Sequence, residues 1–193
     1  MQDGPHRDLL LQAIAREAAA HRAALAGDRE MAAMAYGDAV ALYHESWELA
    51  PPKSYGRLVG LLKAAVLGGA GPQGAAYVRG QLGAEAAGEP SPTAGYVLAV
   101  AALIARDDDA AARFAGAMRG ASAPHDRTAD AITAIAHDDA AAYRVAFAAI
   151  VADFTARDEH LTGVPIADTA AMLEVLASER GLGAGLRGPL LPG

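Results

Sequence analysis

Ile104-Ala105-Arg106-Asp107-Asp108-Asp109-Ala110-Ala111-Ala112-Arg113-Phe114-Ala115 returns further along the chain as Ile135-Ala136-His137-Asp138-Asp139-Ala140-Ala141-Ala142-Tyr143-Arg144-Val145-Ala146. In each copy an apolar helical run meets aspartates and restarts as an alanine-rich helix. That is the pattern of a helical hairpin. The copies lie about 31 residues apart, close to the period of helical repeats.

Helical patterns extend outward from this stretch in both directions. Toward the N-terminus, Thr93 to Arg106 is apolar around its whole circumference and reads as a buried helix, preceded by a joint near 87–93. Before it come Asp8 to Ala26 with Leu11, Ile14, Ala18, His21 and Leu25 on one face, and a helix ending near Leu49 with Tyr36, Val40, Tyr43 and Trp47 in a stripe. Ser54 is placed to cap a third helix through Leu67, and a weaker, glycine-bearing one runs from Gln73 to Ala86. Toward the C-terminus, the second hairpin starts near Asp126. Tyr143, Phe147, Ile150, Val151 and Phe154 mark its outgoing face, and a last helix from Asp168 or Thr169 ends at Arg180. Residues 181–193 read as an irregular tail.

Nothing alternates with period two, so sheet is not expected. The expectation is one all-α domain over 1–193 made of stacked antiparallel hairpins, an irregular tetratricopeptide-like array, α-solenoid or bundle of about nine helices. Hydrophobic residues make up 53% of the chain but aromatics only 5%, so the core should be closely packed helices rich in alanine.

The net charge of -7 is uneven. Basic and acidic residues cancel up to Gly80, and the whole acidic excess lies beyond it, with the duplicated turns. This argues against a nucleic-acid partner, which needs clustered Lys and Arg. The absence of cysteine excludes disulfides, thiolate metal sites and a thiol nucleophile. The N-terminus lacks a secretory pattern and no run is long enough to span a membrane, so a cytoplasmic location is expected.

The chemistry-bearing residue types form few patterns. His44-Glu45-Ser46-Trp47-Glu48 lacks the second histidine of HExxH, and Glu17 with His21 stands at i, i+4 without the Glu-x-x-His spacing of di-iron bundles. Asp158-Glu159-His160 contains proton-transfer residue types but reads as a solvated helix end. No cofactor motif or metal-ligand set emerges, and neither is expected. The acidic turns are the most specific feature. One aspartate caps a restarting helix, worth about 1 kcal/mol, so the surplus among Asp107, Asp108, Asp109, Asp138 and Asp139 is the candidate partner-binding surface.

The order of elements in Ala136-His137-Asp138-Asp139, Ala140–Arg157, His160–Pro165, Ala167–Leu182 and Leu191-Pro192 resembles the helical immunity proteins of bacterial polymorphic-toxin systems, in particular the immunity protein 49 group. That resemblance implies a non-catalytic cytoplasmic antidote that binds a toxin. The sequence reading is accordingly a non-enzymatic protein binder, with a basic toxin domain as the expected partner and the acidic turns as its contact. The alternative is an enzyme or small-ligand binder with an inter-helical pocket lined by Tyr36, Tyr43, Trp47 or Tyr96. A third is a scaffold or homo-oligomer.

Overall fold

The computed structural model describes residues 4–192, which form ten helices with no strand among them. These are α1 (Pro5–Leu25), α2 (Arg29–Glu48), α3 (Gly56–Leu67), α4 (Gly71–Gln81), α5 (Gly83–Ala87), α6 (Pro92–Ile104), α7 (Asp108–Gly116), α8 (Ala123–Ala136), α9 (Ala140–Thr155) and α10 (Asp168–Ser178). The all-α expectation holds. The extra helix arises where Leu82 interrupts the weak helical stretch before Gly83, leaving α4 and the one-turn α5.

Beyond α1, three prolines open helices. Pro72, Pro92 and Pro124 sit in the first turns of α4, α6 and α8, where a missing N–H costs nothing. Ser91 and Ser122 cap two of these helices, with their hydroxyls accepting from Ala94 N and His125 N. Ser54 does not cap α3; its hydroxyl donates to the Pro51 carbonyl and the helix begins two residues later.

Four helix ends that lead into a further helix share one turn, which also closes α10 at Gly181. Gly27, Gly69, Arg106 and Asp138 take left-handed backbone, with φ of 79°, 82°, 61° and 54°. In each, the next residue's amide reaches back five residues: Asp28 N to Ala23 O at 2.9 Å, Ala70 N to Ala65 O at 2.7 Å, Asp107 N to Ala102 O at 3.0 Å and Asp139 N to Ala134 O at 2.9 Å. This closure satisfies carbonyls that the helix end leaves bare. Arg106 thus corresponds to Asp138, and Asp107 to Asp139, one position out of step with the match seen in the sequence. Arginine and aspartate occupy sites where glycine is least strained. Asp138→Gly is expected to raise stability by about 0.5–1 kcal/mol, read as a higher urea midpoint; an unchanged or lower midpoint would mean that the side chain offsets its own strain.

Short turns make successive helices antiparallel, so α1 to α9 form a series in which each helix packs on the next, with α4 passing to α6. The α1–α2, α3–α4, α6–α7 and α8–α9 turns therefore gather at one end. α6 is buried from Ala94 through Leu103, flanked by α3, α4, α7 and α8, and forms the centre of the core. α10 leaves the series. It turns back to lie on α3 while touching α8 and α9. Arg180, just past its end, is 4% exposed, donates to Leu103 O at 2.9 Å and pairs with Asp108 at 2.6 Å. The tail is docked: Ala167 N donates to Leu190 O, the Glu174 carboxylate accepts from the Ala184 and Gly185 amides, and Leu190 and Leu191 pack on the core.

Candidate functional site

α1 buries part of the face expected of it, Ala18 and His21 fully and Ile14 and Leu25 in part, but the buried surface is rotated toward smaller residues. Leu11 is exposed, and the inward residues are Ala13, Glu17, Ala18, Ala20 and His21. Small side chains bring α1 close to α2 and carry a carboxylate and an imidazole into the interior, each 1% exposed. α3 adds Lys63 and α10 adds Asp168, so that four ionisable groups from three helices meet inside the protein.

Each group has one side accounted for. Tyr43, from α2, donates its hydroxyl to Glu17 Oε2 at 2.6 Å. His21 Nδ1 lies 3.1 Å from Thr162 Oγ1, in the loop between α9 and α10. Lys63 Nζ donates to Asp168 Oδ2 at 2.6 Å, and Asp168 Oδ1 accepts from Thr169 N at the start of its own helix. What remains is one facing pair. Glu17 Oε1 and His21 Nε2 are 3.8 Å apart, and both are buried without a hydrogen-bond partner. An unsatisfied buried polar atom costs about 1–3 kcal/mol, so this arrangement is expensive for a structural core.

Electrostatics divide the cluster in two. Burial raises Glu17 above the usual carboxylate range, with Lys63 and the Tyr43 hydroxyl pulling it back only in part. Burial lowers His21 to about 4, so the imidazole is neutral near pH 7. At Asp168 burial pushes the same way as at Glu17, but the charge and hydrogen bond of Lys63, with smaller help from His21 and the Thr169 amide, together outweigh it and hold the carboxyl below its ordinary value. Burial works against the Lys63 charge, but Asp168, Tyr96 and Glu17 together outweigh it and keep the ammonium charged. Lys63 and Asp168 form a firm ion pair; Glu17 and His21 are the unsettled half.

Two small cavities flank the cluster. One, of about 230 Å³, is walled by Glu17, Tyr43, Gly60, Lys63 and apolar residues of α1. The other, of about 190 Å³, is walled by His21, Lys63, Asp168, Thr162, Phe154 and His160. Leu161 borders both and is 74% exposed, so the α9–α10 loop roofs the site at the protein surface.

The aromatic residues expected to line a pocket separate. Tyr43 borders the larger cavity, Tyr36 borders an open groove beside α10 and the tail, Tyr96 is buried, and Trp47 stacks near Tyr55 with its Nε1 donating to Gln81. His44 and Glu48 both engage Tyr77 on the surface, which leaves the HExxH-like stretch without a site. Of Asp158-Glu159-His160, only His160 turns inward, stacking on Phe154 beside the smaller cavity.

The acidic turns are largely occupied with their own helices. Asp107 accepts from Ala110 N, Asp139 accepts from Ala141 N and Ala142 N, and Asp108 holds Arg180. Asp109 and Asp138 are exposed and cap nothing. The sequence signal that could have found the interior site was present in α1: a histidine on the apolar face with a glutamate one turn before it. Lys63 and Asp168 stand far off in sequence, and no local spacing joins them to that pair.

No family model, curated protein or solved structure matches the chain. The likeness to immunity proteins rests on the order of elements in the C-terminal half alone.

Proposed function

We propose that the protein is a ligand-binding helical bundle whose site is the Glu17–His21–Lys63–Asp168 cluster. The observation that carries this reading is the pair of buried, unpartnered acceptor atoms, Glu17 Oε1 and His21 Nε2, facing each other across 3.8 Å. Ionisable groups perturbed by burial and by a specific charge partner, beside a cavity, make a functional-site candidate. Size limits the ligand. Neither cavity reaches the roughly 300 Å³ typical of pockets for organic molecules of drug size, so the occupant is an ion or a molecule of a few heavy atoms. Thermal unfolding in the presence of inorganic cations, small amines and small carboxylic acids tests this. At least one class should raise the Tm of the native chain, and Glu17→Gln or His21→Asn should remove that response. A panel in which nothing raises the Tm, or in which both variants respond like the native chain, would sink the reading.

A second reading is protein recognition through the acidic end, as the sequence and the resemblance to toxin antidotes imply. It is favoured by Asp109 and Asp138, which stand exposed at turns whose capping is already done by Asp107 and Asp139. The partner would be a basic protein surface, steered by charge. Reversing both aspartates to lysine should slow association with such a partner severalfold at low salt and little at high salt. An association rate that ignores both the substitution and the salt would exclude this surface.

A further inference from the structure

We infer that Glu17, His21 and Asp168 form a binding site for a divalent transition-metal ion; the inference rests on the ligand-site reading above and names its ligand. The nitrogen and oxygen atoms that these three residues offer all lie within 4.8 Å of one another, and all three residues are buried. Two of the atoms, Glu17 Oε1 and His21 Nε2, are lone-pair acceptors with no donor in reach. A cation between them with bonds of about 2.0–2.2 Å spans their 3.8 Å separation within one turn of α1.

The surroundings are those of a ligand set. With the Nδ1–H of His21 donating to Thr162 Oγ1, the lone pair is at Nε2, on the side of the two carboxylates. A second hydrogen bond of this kind fixes tautomer and ring direction in metal-binding histidines. Tyr43 does the same for Glu17 by holding Oε2 and leaving Oε1 free. Asp168 is shared, because Lys63 already occupies Oδ2; a carboxylate oxygen has a second lone pair to offer. Two carboxylates against one ammonium leave a net negative charge for a dication. One imidazole and two carboxylates suit Zn²⁺, Co²⁺, Fe²⁺ or Mn²⁺, and the lack of sulfur disfavours Cu⁺. Three protein ligands leave a coordination position open toward the 190 Å³ cavity, which has room for water.

Lys63 gives the inference a sign that a purely structural cluster would not produce. Its ammonium repels a cation and competes for Asp168, so Lys63→Met should tighten metal binding, whereas loss of a ligand should weaken it. The test is calorimetric titration of the whole chain with Zn²⁺, backed by the visible absorption of Co²⁺. One Zn²⁺ should bind per chain, with Glu17→Gln and His21→Asn each weakening it at least about tenfold, and Thr162→Val, which touches no metal, about tenfold through the imidazole. Lys63→Met should strengthen it. Absence of stoichiometric Zn²⁺ uptake, or uptake that is the same in Glu17→Gln and His21→Asn, overturns the site. Should those variants fail to fold, Thr162→Val and Lys63→Met decide alone: shifts in opposite directions support the site, and no shift or a common direction refutes it. Methylammonium is the parallel probe. If it binds in a Glu17-dependent way while Zn²⁺ and Co²⁺ do not, the metal assignment falls and the ligand-site reading stands; if none of the three binds, the metal assignment falls, and the ligand-site reading falls with it when the rest of the panel also leaves the Tm unchanged.

Discussion

Asp168→Ala is expected to destabilise the protein by about 3–5 kcal/mol, the usual cost of leaving one member of a buried ion pair without its partner. Lys63 is 12% exposed at its side chain and directs its ammonium to Asp168 Oδ2 at 2.6 Å. Removing the carboxylate strands a cation next to the tyrosine-lined interior and also deprives the first amides of α10 of their acceptor, since Thr169 N donates to the same side chain. For a chain of this length the loss corresponds to a fall in Tm of about 10 °C. Asp168→Asn, which keeps acceptor geometry but not charge, should fall between. The double change Lys63→Met with Asp168→Leu should restore most of the loss, because an apolar pair of similar volume avoids the desolvation that the ions suffer. A loss below about 1 kcal/mol for Asp168→Ala would mean that Lys63 reaches water on its own, and the pair would then have no part in fixing α10 to α3.

The second large effect is at Gly60. A Cβ there would lie 2.4 Å from Tyr43 Cζ and 2.6 and 2.8 Å from the flanking ring carbons, closer than atoms can approach. The ring cannot swing aside freely: it is 2% exposed and its hydroxyl is bound to Glu17. Gly60→Ala therefore combines overpacking, about 1–3 kcal/mol, with the loss of a buried hydrogen bond to a carboxylate, a similar amount. Alanine's better helix propensity returns about 1 kcal/mol. The net expectation is a destabilisation of about 2–4 kcal/mol, read from urea unfolding. Gly37→Ala is the matched control, since a Cβ there meets nothing within 4 Å, and it should be neutral or stabilising. Placing Gly60→Ala in a Tyr43→Leu background should reduce its cost by more than about 1 kcal/mol. Simple additivity would show that the clash is relieved elsewhere.

How far the sequence speaks differs between fold and site. The buried helix α6, the aromatic face of α9 and the aspartate restarts at Asp107 and Asp139 were readable because they depend on local periodicity and local capping. The pairing of turn residues was displaced by one position, since aspartate repeats in both copies while the deciding property is left-handed backbone at Arg106 and Asp138, which residue type does not reveal. The inward face of α1 was legible in part, at Ala18 and His21, and displaced elsewhere for a related reason. Leucine at position 11 outweighs alanine on any hydrophobicity scale, yet close helix packing favours the small residues Ala13 and Ala20, and Leu11 is left outside. Glu17 then looks like surface, although His21 stands on the expected face. Their burial makes sense only with Tyr43, Thr162, Lys63 and Asp168 around them, partners supplied by tertiary contact across most of the chain.

In an open array of repeats each unit leans on its neighbours alone, and the ends can fray while the middle stays intact. Here the last helix lies on the third, and the arginine behind it reaches the turn between the sixth and seventh. Among the described residues, α1 is likewise tied across the chain, His21 meeting Thr162, so neither terminal helix leans on its sequence neighbour alone. Pulled at its termini or warmed slowly, it should resist and then give way in a single step, the first and final thirds letting go together.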